Sequence, residues 1–179
     1  IVNAGSALAQ LSGYEILKTE VSARAAALSG AFVAMTGDIH SLFYNPAGLI
    51  GIQNKTFGFT YLDYTLDFQA GNLLYAAPVG IHNKYAFGVN FIDYGSFEGR
   101  DITGAPTASF SAQDVVFAGG FAREYSSNVY YGVSGKVLYS KIADFNSTVV
   151  VFDGGIIYNF PEFMATIGVS VANIGFVTS

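Results

Sequence analysis

The chain contains no cysteine and no tryptophan. Without cysteine there are no disulfides, no thiolate metal ligands and no thiol nucleophile, so neither a disulfide scaffold nor a zinc ribbon is available. Charge is scarce as well. Only 12% of the 179 residues are Asp, Glu, Lys or Arg, against roughly 25% in soluble globular domains. Eight basic residues face thirteen acidic ones, which leaves no basic stripe able to neutralise phosphates and argues against nucleic acid or an anionic membrane surface as a partner. Long hydrophobic runs are missing too. A membrane helix needs about 18 consecutive apolar residues, and the greasiest stretches, Phe68 to Val79 and Met164 to Val177, are broken by Gln69, Gly71, Asn72, Gly168, Ser170 and Asn173.

What is abundant is apolar and aromatic. Hydrophobic residues make up 51% of the chain and aromatics 16%, with 21 glycines, a mixture suited to aromatic-rich strands turned by glycine. From Lys55 the period is two: Phe57, Phe59 and Tyr61 alternate with Thr56, Gly58 and Thr60. The pattern returns at Tyr85 to Phe91, Val115 to Phe121, Val129 to Ser140, Val150 to Tyr158 and Ala165 to Val171, and less cleanly from Asp67 to Val79. That predicts seven strands. Several exceed the usual length of five or six and approach the 9–11 residues with which a tilted strand crosses a bilayer. Tight turns are expected near 80–83, 125–127 and 161–162, and looser segments at 63–67, 96–110 and 143–146, a layout of outer-membrane barrels. A soluble sandwich also alternates, but its outer face should be charged. Here the small face offers Gly, Ala, Ser, Thr and Asn with sparse Lys136 and Asp153. The reading is an all-β, antiparallel transmembrane barrel. Seven is an odd number for a bacterial barrel that closes on itself, so the expectation is that more strands follow or that another chain completes the sheet.

Residues 1–54 lack this alternation and read as an N-terminal extension followed by a short-helical or irregular segment, with the strands occupying 55–179. Ser22 is placed to cap a short helix running through Leu28. Asn45-Pro46-Ala47-Gly48-Leu49 reads as a turn. Ala7-Leu8-Ala9 before Gln10 has the form of a signal-peptidase site without a basic or full apolar region in front, so residues 1–13 are either a clipped signal tail or a mature N-terminus.

The segment from Tyr14 to Ala34, containing Ser22-Ala23-Arg24-Ala25 and Gly30-Ala31-Phe32-Val33-Ala34, followed by Gly37-Asp38 and Leu42 to Leu49, resembles the start of the PorV/PorQ family. These are outer-membrane barrels related to the FadL fatty-acid transporters. The resemblance covers about the first third of the chain; Ser29 stands where the family often has Gly. It implies a FadL-like barrel of fourteen strands, of which seven are present here, with an N-terminal hatch folded into the lumen. By similarity, Asn45, Pro46, Ala47 and Gly48 belong to the hatch turn, and Ala23, Arg24 and Ala25 to the segment leading into it. It also implies the outer membrane of a Gram-negative bacterium as location. The function it implies is a type IX secretion component that binds or presents secreted proteins. Uptake of a hydrophobic small molecule through a greasy lumen and self-assembly through exposed strand edges are the alternative readings.

Polar anchors for such a plug are Arg24, Asp38 and Asn45, whether as gating groups or as local caps. Asn90, Lys136 and Asp153 fall on small faces and are expected to point into the lumen, Lys136 and Asp153 as a pair, because ionisable groups at membrane depth must face inward and find partners. Asp63, Asp67, Glu98, Arg100, Asp101 and Asp144 lie at the loop end. His40 and His82 lack a metal-spaced array of further ligands, and Asp63 with Asp67 offers two acids without a cage. Gly168-Val-Ser170-Val-Ala172 has the look of a nucleophile elbow but sits inside a strand pattern. No catalytic role and no cofactor is expected.

Overall fold

A computed structural model describes residues 14–19, 22–64 and 68–178. Asp67 and the signal-peptidase-like stretch 7–10 lie outside the described residues. Seven strands form one antiparallel sheet in chain order. They are β1 (Thr56–Asp63), β2 (Gln69–Val79), β3 (Asn83–Phe97), β4 (Phe110–Ser126), β5 (Val129–Ile142), β6 (Phe145–Phe160) and β7 (Ala165–Val177). Every sequential pair is a hairpin neighbour, and β1 and β7 are the two edges. Among the described residues no helix is long and apolar enough to cross a membrane.

The strands run longer than their alternation suggested, because β3 and β4 continue past the clean pattern to pair Ser96 with Ser111 and Phe97 with Phe110 beyond a bulge after Asp93. The connection at 143–146 is not loose. Ala143, with φ of +53°, and Asp144 make a tight turn, and Phe145 already pairs with Ile142. The one extended connection among those described is 98–109. It is ordered by Asp101, whose carboxylate accepts from the backbone N–H of Thr103 and Ala105 and from the Thr103 hydroxyl, with the Thr103 hydroxyl bond holding the carboxyl below its ordinary pKa first of all.

The N-terminal part contains two short helices, α1 (Ala23–Ala27) and α2 (Ser41–Tyr44), and 3-10 turns at Glu15–Leu17 and Pro46–Gly51. Ser22 caps α1 by accepting from the Ala25 N–H. The helix ends in left-handed backbone at Ser29 (φ +51°) and Gly30 (φ +78°), a conformation that a glycine takes without strain and a serine does not.

This segment covers one face of the sheet and supplies its core. Ile39, Leu42, Leu49 and Ile52 pack on Leu74, Ala76, Ala86, Ala118 and Ala122. Ile16, from the first 3-10 turn, joins Ala70, Ile92, Val116, Leu138, Val149 and Val151. Burying a side chain of this size contributes about 1.5–3 kcal/mol, so four or five such anchors fix the segment firmly. Sheet and segment meet at backbone distance. A Cβ on Gly132 would strike Ala47 N and Pro46 C, one on Gly155 would strike the Asn45 side chain, and one on Gly168 would strike the Val33 carbonyl. The small face that alternates with the aromatics is therefore a bed for another piece of main chain.

The opposite face is uncovered and aromatic. Phe57 is 75% exposed and Phe59 74%, while Lys136 on the covered face is 2% exposed. Bulky apolar residues outside and small or polar residues inside invert the distribution of a water-soluble domain.

Gly155→Ala should lower the unfolding free energy by about 1–3 kcal/mol through overpacking against Asn45. Gly154→Ala, on the open face with nothing near its Cβ, should leave it nearly unchanged; denaturant midpoints in detergent check the difference.

Candidate functional site

The site with the most chemistry lies where the covering segment meets β5, β6 and β7. Lys136 Nζ stands 2.7 Å from Asp153 Oδ2, with the two side chains 2% and 1% exposed. Ser134 donates its hydroxyl to the same oxygen at 2.7 Å. The other Asp153 oxygen accepts the Asn173 backbone N–H at 2.7 Å. Lys136 also donates to Asn173 Oδ1 at 3.1 Å and sits 5.7 Å from the centre of the Phe43 ring. The network ends on the covering segment: Asn173 Nδ2 donates to the Leu17 carbonyl at 3.2 Å, and the Ser134 hydroxyl lies 3.3 Å from the Leu42 carbonyl.

Asn173 reaches this position through a bulge. Phe152 pairs with Ile174 and Gly154 with Val171, so Ala172 and Asn173 together face Asp153. Asn173 adopts φ of +58°, a conformation asparagine tolerates better than most residues. Removing two charges from water costs several kcal/mol per ion unless they are paired and their remaining donors and acceptors are satisfied, and here both carboxylate oxygens are bonded.

Asn45 holds the turn below. Fully buried, it donates Nδ2 to the Val33 carbonyl at 2.7 Å and accepts the Ala47 N–H on Oδ1 at 3.1 Å. Pro46 opens the 3-10 turn, and Ala47 and Gly48 are buried in it. A Cβ on Gly48 would meet the Met35 carbonyl and Ser41. Ala23 and Arg24 lie on the exposed side of α1 and Ala25 is buried. Arg24 reaches Asp38 at 3.3 Å, and the other Asp38 oxygen takes the His40 backbone N–H at 2.9 Å and the His40 ring Nδ1 at 3.0 Å. The His40 ring bond, above all, holds the Asp38 carboxyl below its ordinary pKa.

The structure thus brings Lys136 and Asp153 together, and Arg24 with Asp38, as two separate clusters. Asn90, 4% exposed, joins neither cluster by a hydrogen bond. It lines a recess of about 200 Å³ with Lys136, Asn173, Phe43, Ile16 and Val116. Sequence reasoning missed Ser134 and Asn173, and it missed the inward pair of Tyr94, which donates to Asp114 at 2.9 Å. The signal for Asn173 was the break in alternation between Val171 and Ile174. At the loop end Arg100 pairs with Glu98 at 3.1 Å, and Asp63 stands exposed at the end of β1. His82, in the β2–β3 turn, meets Glu124 near the end of β4 at 2.9 Å. Among the described residues no group of three or more His, Cys, Asp or Glu is arranged to hold a metal ion. Ser170 lies within a continuous strand, without the strand-to-helix turn that a nucleophile elbow requires.

The chain matches no protein-family model, and no curated protein matches its sequence.

Asp153→Asn should destabilise the chain by about 3–5 kcal/mol because it leaves the Lys136 charge buried and unpaired, whereas the double change Lys136→Met with Asp153→Leu should cost much less; a double-mutant cycle by denaturant unfolding measures this. The Asp38 contribution has the opposite dependence to that of a histidine. A carboxylate with a lowered folded pKa stabilises fully above its unfolded pKa of about 3.9 and ceases to do so as pH falls through the folded value. The stability gap between wild type and Asp38→Asn should therefore be present from neutral pH to about 5 and vanish well below about pH 4.

Proposed function

We propose that the chain is part of an outer-membrane β-barrel of the PorV/PorQ kind in a Gram-negative bacterium, with residues up to 54 forming a hatch on the inner side of the strands. Its proposed role is that of a non-catalytic, type IX secretion-associated component that binds or presents secreted proteins. The observation that carries the membrane part is the inversion of the sheet. An uncharged aromatic face is left open, while Lys84, Asp114, Lys136 and Asp153 all point to the covered side. In water such a face costs about 25 cal/mol for each Å² of apolar surface, and in hydrocarbon that cost disappears. The secretion part is supported by the resemblance of residues 14–49 alone.

A second reading, passage or binding of a hydrophobic small molecule, is favoured by the recess between the Glu15–Leu17 turn and the sheet, whose walls combine Ile16, Phe43 and Val116 with Lys136 and Asn90. Fold and location constrain cargo only weakly.

Produced with an outer-membrane signal in a Gram-negative host, the protein should remain with the outer membrane after an alkaline carbonate wash; recovery in the soluble periplasmic fraction overturns the membrane reading. In a host with a type IX system, tagged protein should co-purify with proteins that need that system for export. Uptake or retention of a labelled fatty acid without such partners would put the transport reading first, and a detergent-solubilised assembly of several copies would favour self-association.

A further inference from the structure

The recess beside the Glu15–Leu17 turn contains a polar group that the chain itself leaves unused. Asn90 is 4% exposed, and its side-chain amide makes no hydrogen bond among the described residues. Buried amides are bonded in the large majority of cases, because desolvating one without a partner is costly. Asn90 stands on β3 opposite Val116 of β4, and both side chains line the recess. Ile16 and Phe43 add apolar wall, and Lys136 and Asn173 add polar wall.

Charge and size narrow what this recess accepts. Lys136 is neutralised by Asp153 at 2.7 Å, and Asn173 spends its carbonyl on Lys136 and its amide nitrogen on the Leu17 carbonyl. Lys18, the exposed cation of the lining, is paired with Glu15 at 3.3 Å. An incoming carboxylate would lose its water and find both cations already paired, so it would carry the cost of a buried anion without a free counter-charge. A pure hydrocarbon avoids that cost but leaves Asn90 unbonded. An uncharged head with a donor beside an acceptor, of which a primary carboxamide is the simplest, bonds reciprocally to the N–H pair and carbonyl of Asn90. Lys136 has a third N–H beyond the two engaged on Asp153 and Asn173. The volume of about 200 Å³ sets the body: a cavity of roughly 150 Å³ holds a benzene ring, so one ring with a small head fills this one and a long acyl chain exceeds it.

We propose that the recess binds a small uncharged molecule whose carboxamide-like head is held by Asn90 and whose apolar body, about one ring in size, lies against Ile16, Phe43 and Val116. This inference rests on the second reading above, binding of a small molecule, and adds to it the head group, the charge and the size of the ligand.

Three probes of nearly one shape separate the possibilities: para-fluorobenzamide, para-fluorobenzoate and para-fluorotoluene. Each is titrated by fluorine NMR against the protein in phosphatidylcholine vesicles, with protein-free vesicles as the reference for partitioning into lipid. The benzamide should bind saturably and about tenfold more tightly than either of the others, and its ring should give nuclear Overhauser contacts to the methyl groups of Ile16 and Val116. Asn90→Leu should abolish the advantage of the benzamide over the toluene; if that variant does not fold, the rank order and the contacts in the unaltered chain decide. Equal affinity for the toluene would overturn the polar head, and tightest binding of the benzoate would overturn the uncharged class, both leaving the small-molecule reading standing. Saturable binding without contacts to Ile16 and Val116 would place the ligand elsewhere and overturn the proposal. No saturable binding of any probe would overturn the proposal and the small-molecule reading together.

Discussion

The fold depends on the close approach of two backbones. A sheet whose inner positions were filled with ordinary side chains would hold the N-terminal segment several ångströms away, beyond reach of the hydrogen bonds that fasten it. Glycine at 132, 155 and 168 removes those side chains where the Pro46–Ala47 turn, the Asn45 amide and the Val33 carbonyl arrive. Asn45 then does for the segment what a sheet partner would do for a strand. It satisfies an N–H and a carbonyl that the irregular path leaves over, as any buried main chain requires. Leu42 and Leu49 add the apolar contact that keeps the arrangement closed.

The buried charges follow from the same geometry. Among the described residues the buried charged side chains on the covered side are Lys84, Asp114, Lys136 and Asp153, two of each sign, and the Lys136 pair is saturated by Ser134 and Asn173. A charge facing the other way would meet no partner on an aromatic surface. The polarity of the sheet is thus enforced twice, by what the open face excludes and by what the covered face neutralises. The network also fastens the Leu17 carbonyl to β7, so the charges that balance one another inside the sheet also locate the first turn of the described chain.

Much of this was legible in the sequence because Phe and Tyr at every second position mark a strand whatever lies beside it. All seven strands, the Ser22 cap, the break at Asn45-Pro46 and the inward placement of Lys136 and Asp153 are carried by local residue types. Less legible was what the small face holds. Gly132 and Gly155 look like any other small residues in an alternating strand, and only the arrival of residues distant in the chain distinguishes them from Gly154, which faces open space. Ala143 gave no sign of a tight turn, since alanine has no preference for the left-handed backbone it adopts there. Ser134 and Asn173 could not be joined to the ion pair without the register that sets them beside it.

The bulge at Ala172 and Asn173 also sets the phase of the last strand. Outward positions on β7 are odd-numbered up to Val171 and even-numbered from Ile174 onward, so the extra residue is what keeps Ile174 and Phe176 on the same side as Val169. Strict alternation through this point would send both of them towards the covered side and turn Gly175, whose Cβ would collide with the Val150 carbonyl and Val151, outward. Length variation by one residue, usually tolerated in loops and damaging in strands, is built into this strand as a frame shift: the sequence on either side is correct for the open face only in the reading that Asn173 supplies.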